Sequence, residues 1–142
     1  MRLQPRLCGV LLCGFVLTAT SHVAAQPSSS CHGGLQRKDV AELLFGREIG
    51  NHLGVNDADW THFVDRQITP RFPDGLTMSD AVGQWRDHRS GKIVREPSKR
   101  IEIVLPGTPD DEARLEEIVG AYKRAFHQHS VGLIVRSACV AF

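Results

Sequence analysis

The chain has 142 residues, with 17 Lys+Arg against 16 Asp+Glu, a formal net charge of +1 and 42% hydrophobic content. That length holds one small domain with a single core, and the near-balanced charge lacks the basic excess of a nucleic-acid binder or of a protein held on anionic lipid. Nucleic acid is therefore not an expected partner.

The N-terminus has the three-part layout of a secretory signal: Arg2 and Arg6, an apolar run from Leu7 to Val16, then Val23-Ala24-Ala25. Cleavage is expected after Ala25, which makes residues 1–25 a signal peptide and the mature chain periplasmic or secreted. The apolar run is shorter than the roughly 20 residues a membrane-spanning helix needs. No later stretch is apolar for that long, so no membrane association is expected after cleavage. Cys31 follows Ser28-Ser29-Ser30 rather than a Leu-Ala-Gly-like triplet, which argues against a lipid anchor. Loss of Arg2 and Arg6 turns the charge balance slightly negative.

Only Cys31 and Cys139 remain after cleavage, one near each end of the mature chain. Export delivers them to a compartment where disulfides persist, so they are expected to be paired, with two reduced core thiols as the alternative. In the chain-entropy model, closing a loop of about 100 residues stabilises by roughly 4 to 5 kcal/mol. The pair lacks the Cys-x-x-Cys spacing of a redox site.

Residues 26–37 are rich in Ser, Gly and Gln and read as a flexible leader; the domain is expected over 38–142. Lys38 to Gly46, with Val40, Leu43, Leu44 and Phe45, suggests a first strand ended by glycine, and Gly50 to Asn56 a loop. Asn56 or Asp57 can cap a helix whose Trp60, Phe63, Val64 and Ile68 share one face. Pro70 stops that helix near Thr69, and Phe72-Pro73-Asp74-Gly75 reads as a turn.

Two strands between Leu76 and Leu105 flank the loop His88-Arg89-Ser90-Gly91. If Asp87 opposes Lys92, one side of the hairpin pairs Leu76 with Ile103, Met78 with Ile101, Asp80 with Lys99, Val82 with Pro97 and Gln84 with Arg95. That side changes from apolar to polar along its length. The other pairs Thr77 with Glu102, Ser79 with Arg100, Ala81 with Ser98 and Gly83 with Glu96, small residues against charged ones. It is either the solvated side of a two-layer sheet or, with Pro97 and the small residues leaving room, a lined pocket.

A second helix starts with Thr108 and Asp111 as a capping-box-like pair and Pro109 at its first position, and buries Leu115, Ile118, Val119, Tyr122 and Phe126. Lys123, Arg124 and His127 suit its last turn, and Val131 to Val140 reads as the final strand. The order β-α-β-β-α-β matches the ferredoxin-like split motif: an α+β fold with a four-stranded antiparallel sheet and both helices on one face.

Three blocks carry a family resemblance: Thr69-Pro70-Arg71-Phe72-Pro73-Asp74-Gly75-Leu76-Thr77, Gly83-Gln84-Trp85-Arg86, and Ile93-Val94-Arg95-Glu96-Pro97-Ser98-Lys99. The chain resembles the bacterial family DUF3574, a domain of unknown function, from Glu42 to Phe142, including Ala138-Cys139-Val140. The resemblance implies a small exported α/β domain and brings no catalytic residues with it. His88 to Ser90 stands where an Asp-Gly-type turn is more usual.

Arg71, Asp74, Gln84, Arg86, Arg95, Glu96 and Lys99 are the candidate ligand-binding residues, because charged groups of both signs gather near one hairpin. Arginines can hold a carboxylate or phosphate bidentately, with Glu96 orienting one or serving as a base; a structural ion-pair network uses the same residues. Trp85 can stack on a ligand or simply pack. His127-x-His129 has no third ligand placed by the sequence, so no metal site is expected. No Gly-rich phosphate loop, nucleophile-elbow serine or His-Glu-x-x-His pattern occurs, and no cofactor is expected. Two functions follow. One is a binding or assembly module, a homodimer included, for a small anionic ligand or partner protein. The other is a small enzyme of the dimeric ferredoxin-like type using the charged hairpin cluster for acid-base work, a reading that rests on fold analogy.

Overall fold

A computed structural model describes residues 31–50 and 52–142. The expected signal peptide, its cleavage point and residues 26–30 of the leader lie outside the described residues. The elements in order are β1 (Gln36–Gly46), β2 (Glu48–Ile49), β3 (His52–Leu53), α1 (Asp57–Phe63) continued by a π-helical turn (Val64–Ile68), β4 (Thr77–Arg86), β5 (Ile93–Val104), α2 (Asp111–Phe126) and β6 (Gly132–Val140). The main sheet has the order β4-β5-β1-β6, every neighbouring pair antiparallel. This is the expected ferredoxin-like arrangement.

Side chains alternate across a strand, so Ala41, Leu43 and Phe45 of β1 and Ile101 and Ile103 of β5 share one face. All five are essentially inaccessible and pack against Trp60, Phe63, Leu115, Ile118 and Tyr122 of the helices. An aromatic cluster joins the layers: the Tyr122 ring lies 4.7 Å from Phe45, 5.0 Å from Phe63 and 4.8 Å from Phe126. Such edge-on contacts add to the area that these rings remove from water.

The helix ends differ from one another for local reasons. Asn56 caps α1, accepting from the Asp59 N–H at 2.9 Å while the Asp59 carboxylate accepts from the Asn56 N–H at 3.3 Å. The π turn lets Phe63, Val64 and Ile68 all face the core; it closes with the Thr69 N–H donating to the Val64 carbonyl at 2.9 Å, just before Pro70. Helix α2 begins at Asp111, two residues later than Pro109, because the Asp111 carboxylate turns back on the preceding loop. It accepts from the N–H groups of Gly107 (2.8 Å) and Thr108 (3.0 Å) and from the Thr108 hydroxyl (2.6 Å).

Two further boundaries depart from the sequence reading. Strand β1 starts at Gln36 rather than Lys38, because Gln36 and Arg37 pair with Val140 and Cys139. Beside that pairing Cys31 and Cys139 are bonded, with Cα atoms 5.6 Å apart. The expected loop from Gly50 to Asn56 contains β3, which pairs with β2 just before it, and this small hairpin is stitched to the end of β1 by hydrogen bonds from the Gly54 and Val55 N–H groups to the Arg47 carbonyl. Apolar periodicity cannot reveal two-residue strands.

Candidate functional site

Strands β4 and β5 pair in the register expected from Asp87 opposite Lys92, from Thr77 with Glu102 to Arg86 with Ile93. The Asp87 N–H donates to the Lys92 carbonyl at 2.9 Å, and the Gly91 N–H to the Asp87 carbonyl at 2.8 Å. Gly91 sits at φ 70°, the left-handed geometry that closes the turn at no steric cost. The Asp87 carboxylate accepts from the Arg89 and Ser90 N–H groups and the Ser90 hydroxyl; these bonds, that from the Ser90 N–H foremost, hold its pKa below the ordinary carboxylate value. This Asx-type turn lets His88-Arg89-Ser90 close the loop.

Strand β1 pairs with β5 only between Val104 and Ser98. The Arg47 N–H, just after β1, still donates to the Pro97 carbonyl at 3.0 Å; past Val82 and Pro97 the hairpin runs beyond the end of β1 as a two-stranded arm. Its helix-side face carries Val82 and Pro97, Gln84 and Arg95, and Arg86 and Ile93 in cross-strand pairs. Val82 is 76% exposed and Ile93 43%, far above the core aliphatics. Arg95 is also exposed, while Arg86 reaches back to the Gly91 carbonyl at 3.0 Å.

At the base of the arm on the same side, Lys99 lies between Asp80, its cross-strand partner, and Asp57 at the start of α1, 3.5 Å away. Asp57 also accepts from Arg47 at 2.9 Å, and the buried Arg47 donates through Nε to the Val55 carbonyl at 2.8 Å. The Lys99 ammonium holds the Asp80 carboxyl below its ordinary pKa. Sequence reasoning selected Lys99 but neither Arg47 nor Asp57. The hairpin register, which places Asp80 opposite Lys99, is the one signal of this cluster in the sequence.

The opposite, helix-free face holds Glu96. Its carboxylate accepts from the Trp85 indole N–H at 3.1 Å and from the Glu48 N–H at 3.3 Å. Gly46 and Gly83 make room: a Cβ on Gly46 would lie 2.9 Å from both Glu96 oxygens, and one on Gly83 2.8 Å from the Ser98 hydroxyl. The Gly46 carbonyl in turn accepts from the Tyr122 hydroxyl at 2.8 Å, connecting this corner to the aromatic core. Burial pushes the Tyr122 phenol well above its ordinary pKa.

Farther along this face Glu42 and Glu102 alternate with Arg100 and Arg136. Arg100 bonds Glu42 at 2.8 Å and Glu102 at 3.2 Å; Arg136 bonds Glu42 at 3.0 Å and Glu102 at 2.8 Å. Arg100 first, then Arg136, holds the Glu42 carboxyl below its ordinary pKa against the cost of burial. The polar face is a reciprocal ion-pair lattice rather than a lined pocket.

The seven candidate residues therefore do not converge. Gln84, Arg86, Arg95 and Lys99 share the helix-side face of the hairpin, and Glu96 lies on the other face. Arg71 does not enter the hairpin: it binds Glu117 of α2 at 2.9 Å and the Gln67 carbonyl at 2.7 Å, tying α2 to the end of the π turn. Asp74 is exposed in the turn before β4. Among the described residues there is no cluster of three or more His, Cys, Asp or Glu arranged to hold a metal, and no helix long and apolar enough to cross a membrane.

The chain belongs to the family described as Protein of unknown function (DUF3574), whose model matches residues 40–142. No curated protein matches it. Among solved structures, a phage SAM lyase in complex with S-methyl-5'-thioadenosine is similar at TM-score 0.58 and 17% identity, over 82% of this chain and 97% of that one. The apo state of a phage SAM lyase is similar at TM-score 0.54 and 19% identity, over 80% and 97%. The GlnK–ATP complex of B. subtilis is similar at TM-score 0.44 and 14% identity, over 72% and 83%. At these identities the likeness is one of fold.

Proposed function

We propose that the protein is an exported binding module whose working surface is the β4–β5 arm, which docks its apolar and basic face onto an acidic surface of a protein partner. The observation that carries this reading is the stripe of Val82, Pro97 and Ile93, flanked by Arg95, on a ribbon that neither β1 nor β6 pairs with. Exposed apolar residues interspersed with arginines on one face are the composition of an interface. Apolar Val82, Pro97 and Ile93 between the cations suit a protein surface better than the small anionic molecule that arginines alone would suggest. Arg89 and Lys92 in the loop extend the positive charge to the tip.

Export rests on the N-terminal pattern, with residues 1–25 as a signal, 26–37 as a leader and 38–142 as the single domain. The Cys31–Cys139 bond accords with a compartment where disulfides persist. The enzyme alternative has less support. A SAM lyase shares the fold at 17% identity, but here the charged candidates are spread over both faces and two ends of the hairpin, with Glu96, Lys99 and Arg71 each engaged by structural neighbours.

Site-specific photo-cross-linking in the exporting cell tests the reading, with the reactive residue at position 82 or 93 and a control at exposed Arg66. Protein adducts from the arm positions and none from the control are expected. Adducts at equal yield from all three, or from none, would refute it.

A further inference from the structure

Diagonally across the sheet from the arm lies a groove of about 560 Å³ between β6 and the start of α2. Its floor is Leu105, Leu115, Leu133 and Val135, of which Leu133 is 39% and Val135 50% exposed. Its rim is Asp39, Glu112 and Glu116, with the buried Asp111 behind them, and no lysine or arginine lines it. The groove thus pairs an apolar floor with acidic edges, as the arm pairs Val82, Pro97 and Ile93 with Arg95 on its face and Lys92 in the loop at its tip. The two surfaces match in both chemistry and sign.

They cannot meet within one chain. Leu133 and Val135 pair with Leu43 and Ala41 of β1, and Asp39 lies in the first half of that strand, whereas the arm extends beyond its other end at Gly46. The arm also belongs to the β4 edge of the sheet and the groove to the β6 edge. We infer that the arm of one copy docks in the β6–α2 groove of a second copy, so that the module's acidic partner is itself. This rests on the reading of the arm as the docking surface. Because the two patches differ, the contact is heterologous: each copy gives an arm and accepts one, and the series closes into a ring when the rotation between copies permits. Charge complementarity sets the orientation, and the apolar stripe on the apolar floor supplies the driving force.

Charge exchange tests this on the chain purified from the exporting cell, with its disulfide intact. Arg95→Glu with Lys92→Glu reverses the arm; Glu112→Lys with Glu116→Lys reverses the groove. All four side chains are solvent-facing, and thermal unfolding confirms that each variant folds. Sedimentation velocity across the micromolar range should show the wild type as an oligomer. Each reversed variant should have an apparent dissociation constant raised at least about tenfold by the like-charge contact, and the fourfold variant should recover the wild-type oligomer. A wild type that stays monomeric overturns the inference. So does a groove reversal that leaves the oligomer unchanged while the arm reversal dissolves it, because the arm then docks elsewhere. In either case arm-specific cross-links to another protein would still uphold the module itself.

Discussion

The Trp85 indole N–H donates to the Glu96 carboxylate across the hairpin at 3.1 Å, and that carboxylate occupies the space left by the missing side chain of Gly46. The same carboxylate accepts from the Glu48 N–H at 3.3 Å, which joins the root of the arm to the segment after β1, whose Gly46 carbonyl is held from the core by Tyr122.

Removing the acceptor should loosen that root without unfolding the domain. Glu96→Ala is expected to cost about 1 kcal/mol, the usual net value of a partly exposed hydrogen bond, and to shift the emission of Trp85. Gly46→Ala should produce the same shift by displacing the carboxylate. The two changes should be non-additive in urea unfolding, since both break one contact. Additive losses would mean that Gly46 acts through something other than Glu96.

Reduction of the Cys31–Cys139 bond, which closes a separation of 108 residues, should lower stability by about 2 to 5 kcal/mol. Denaturant midpoints with and without reductant, and for Cys139→Ser, check this. Because the bond anchors Cys31 beside the end of β6, amides near Gln36 should lose protection first.

Asp111 is the buried carboxylate of greatest structural consequence among the described residues. Burial alone would raise its pKa, but the Thr108 hydroxyl and the Gly107 and Thr108 N–H groups outweigh burial and lower it. Asp111→Asn should cost about 1 to 3 kcal/mol. Glu42 is also lowered, chiefly by Arg100. A carboxylate with a depressed folded-state pKa stabilises fully above its ordinary pKa, 4.5 for Glu42 and 3.8 for Asp111, and that stability is lost as pH falls through the lowered value. Urea midpoints should therefore be flat near neutrality and fall below about pH 4.5, less steeply in Asp111→Asn. Arg136→Ala, on the exposed lattice, should cost at most about 1 kcal/mol.

Much of the framework was legible in the sequence for identifiable reasons. The helical stripe of Leu115, Ile118 and Tyr122 and the small-against-charged pairing of Gly83 with Glu96 are periodic, local patterns, and the hairpin register follows from its turn. What escaped were arrangements that depend on distant segments meeting. Arg47 and Asp57 reach Lys99's neighbourhood only because the β2–β3 hairpin folds back on β1. Arg71 precedes the hairpin closely in sequence, yet Glu117 draws it to α2. Proximity along the chain gathered seven candidates that the two faces of a strand then separated. Exposure of Val82 was equally hidden, because alternation assigns a residue to a face without saying where the helices covering that face stop.

If the arm is an interface and its partner another copy, docking must protect its backbone amides. Hydrogen–deuterium exchange at the amides of 82–86 and 93–96, measured on the wild type at several concentrations, decides between a docked and a free arm. An undocked two-stranded ribbon is marginally stable and opens readily. Exchange should be fast in dilute solution and slow at the arm, together with residues 133–135 of β6, as concentration rises, while core amides such as those of Leu43 and Ile101 stay unchanged. Exchange at the arm and at β6 that is the same at every concentration would contradict it.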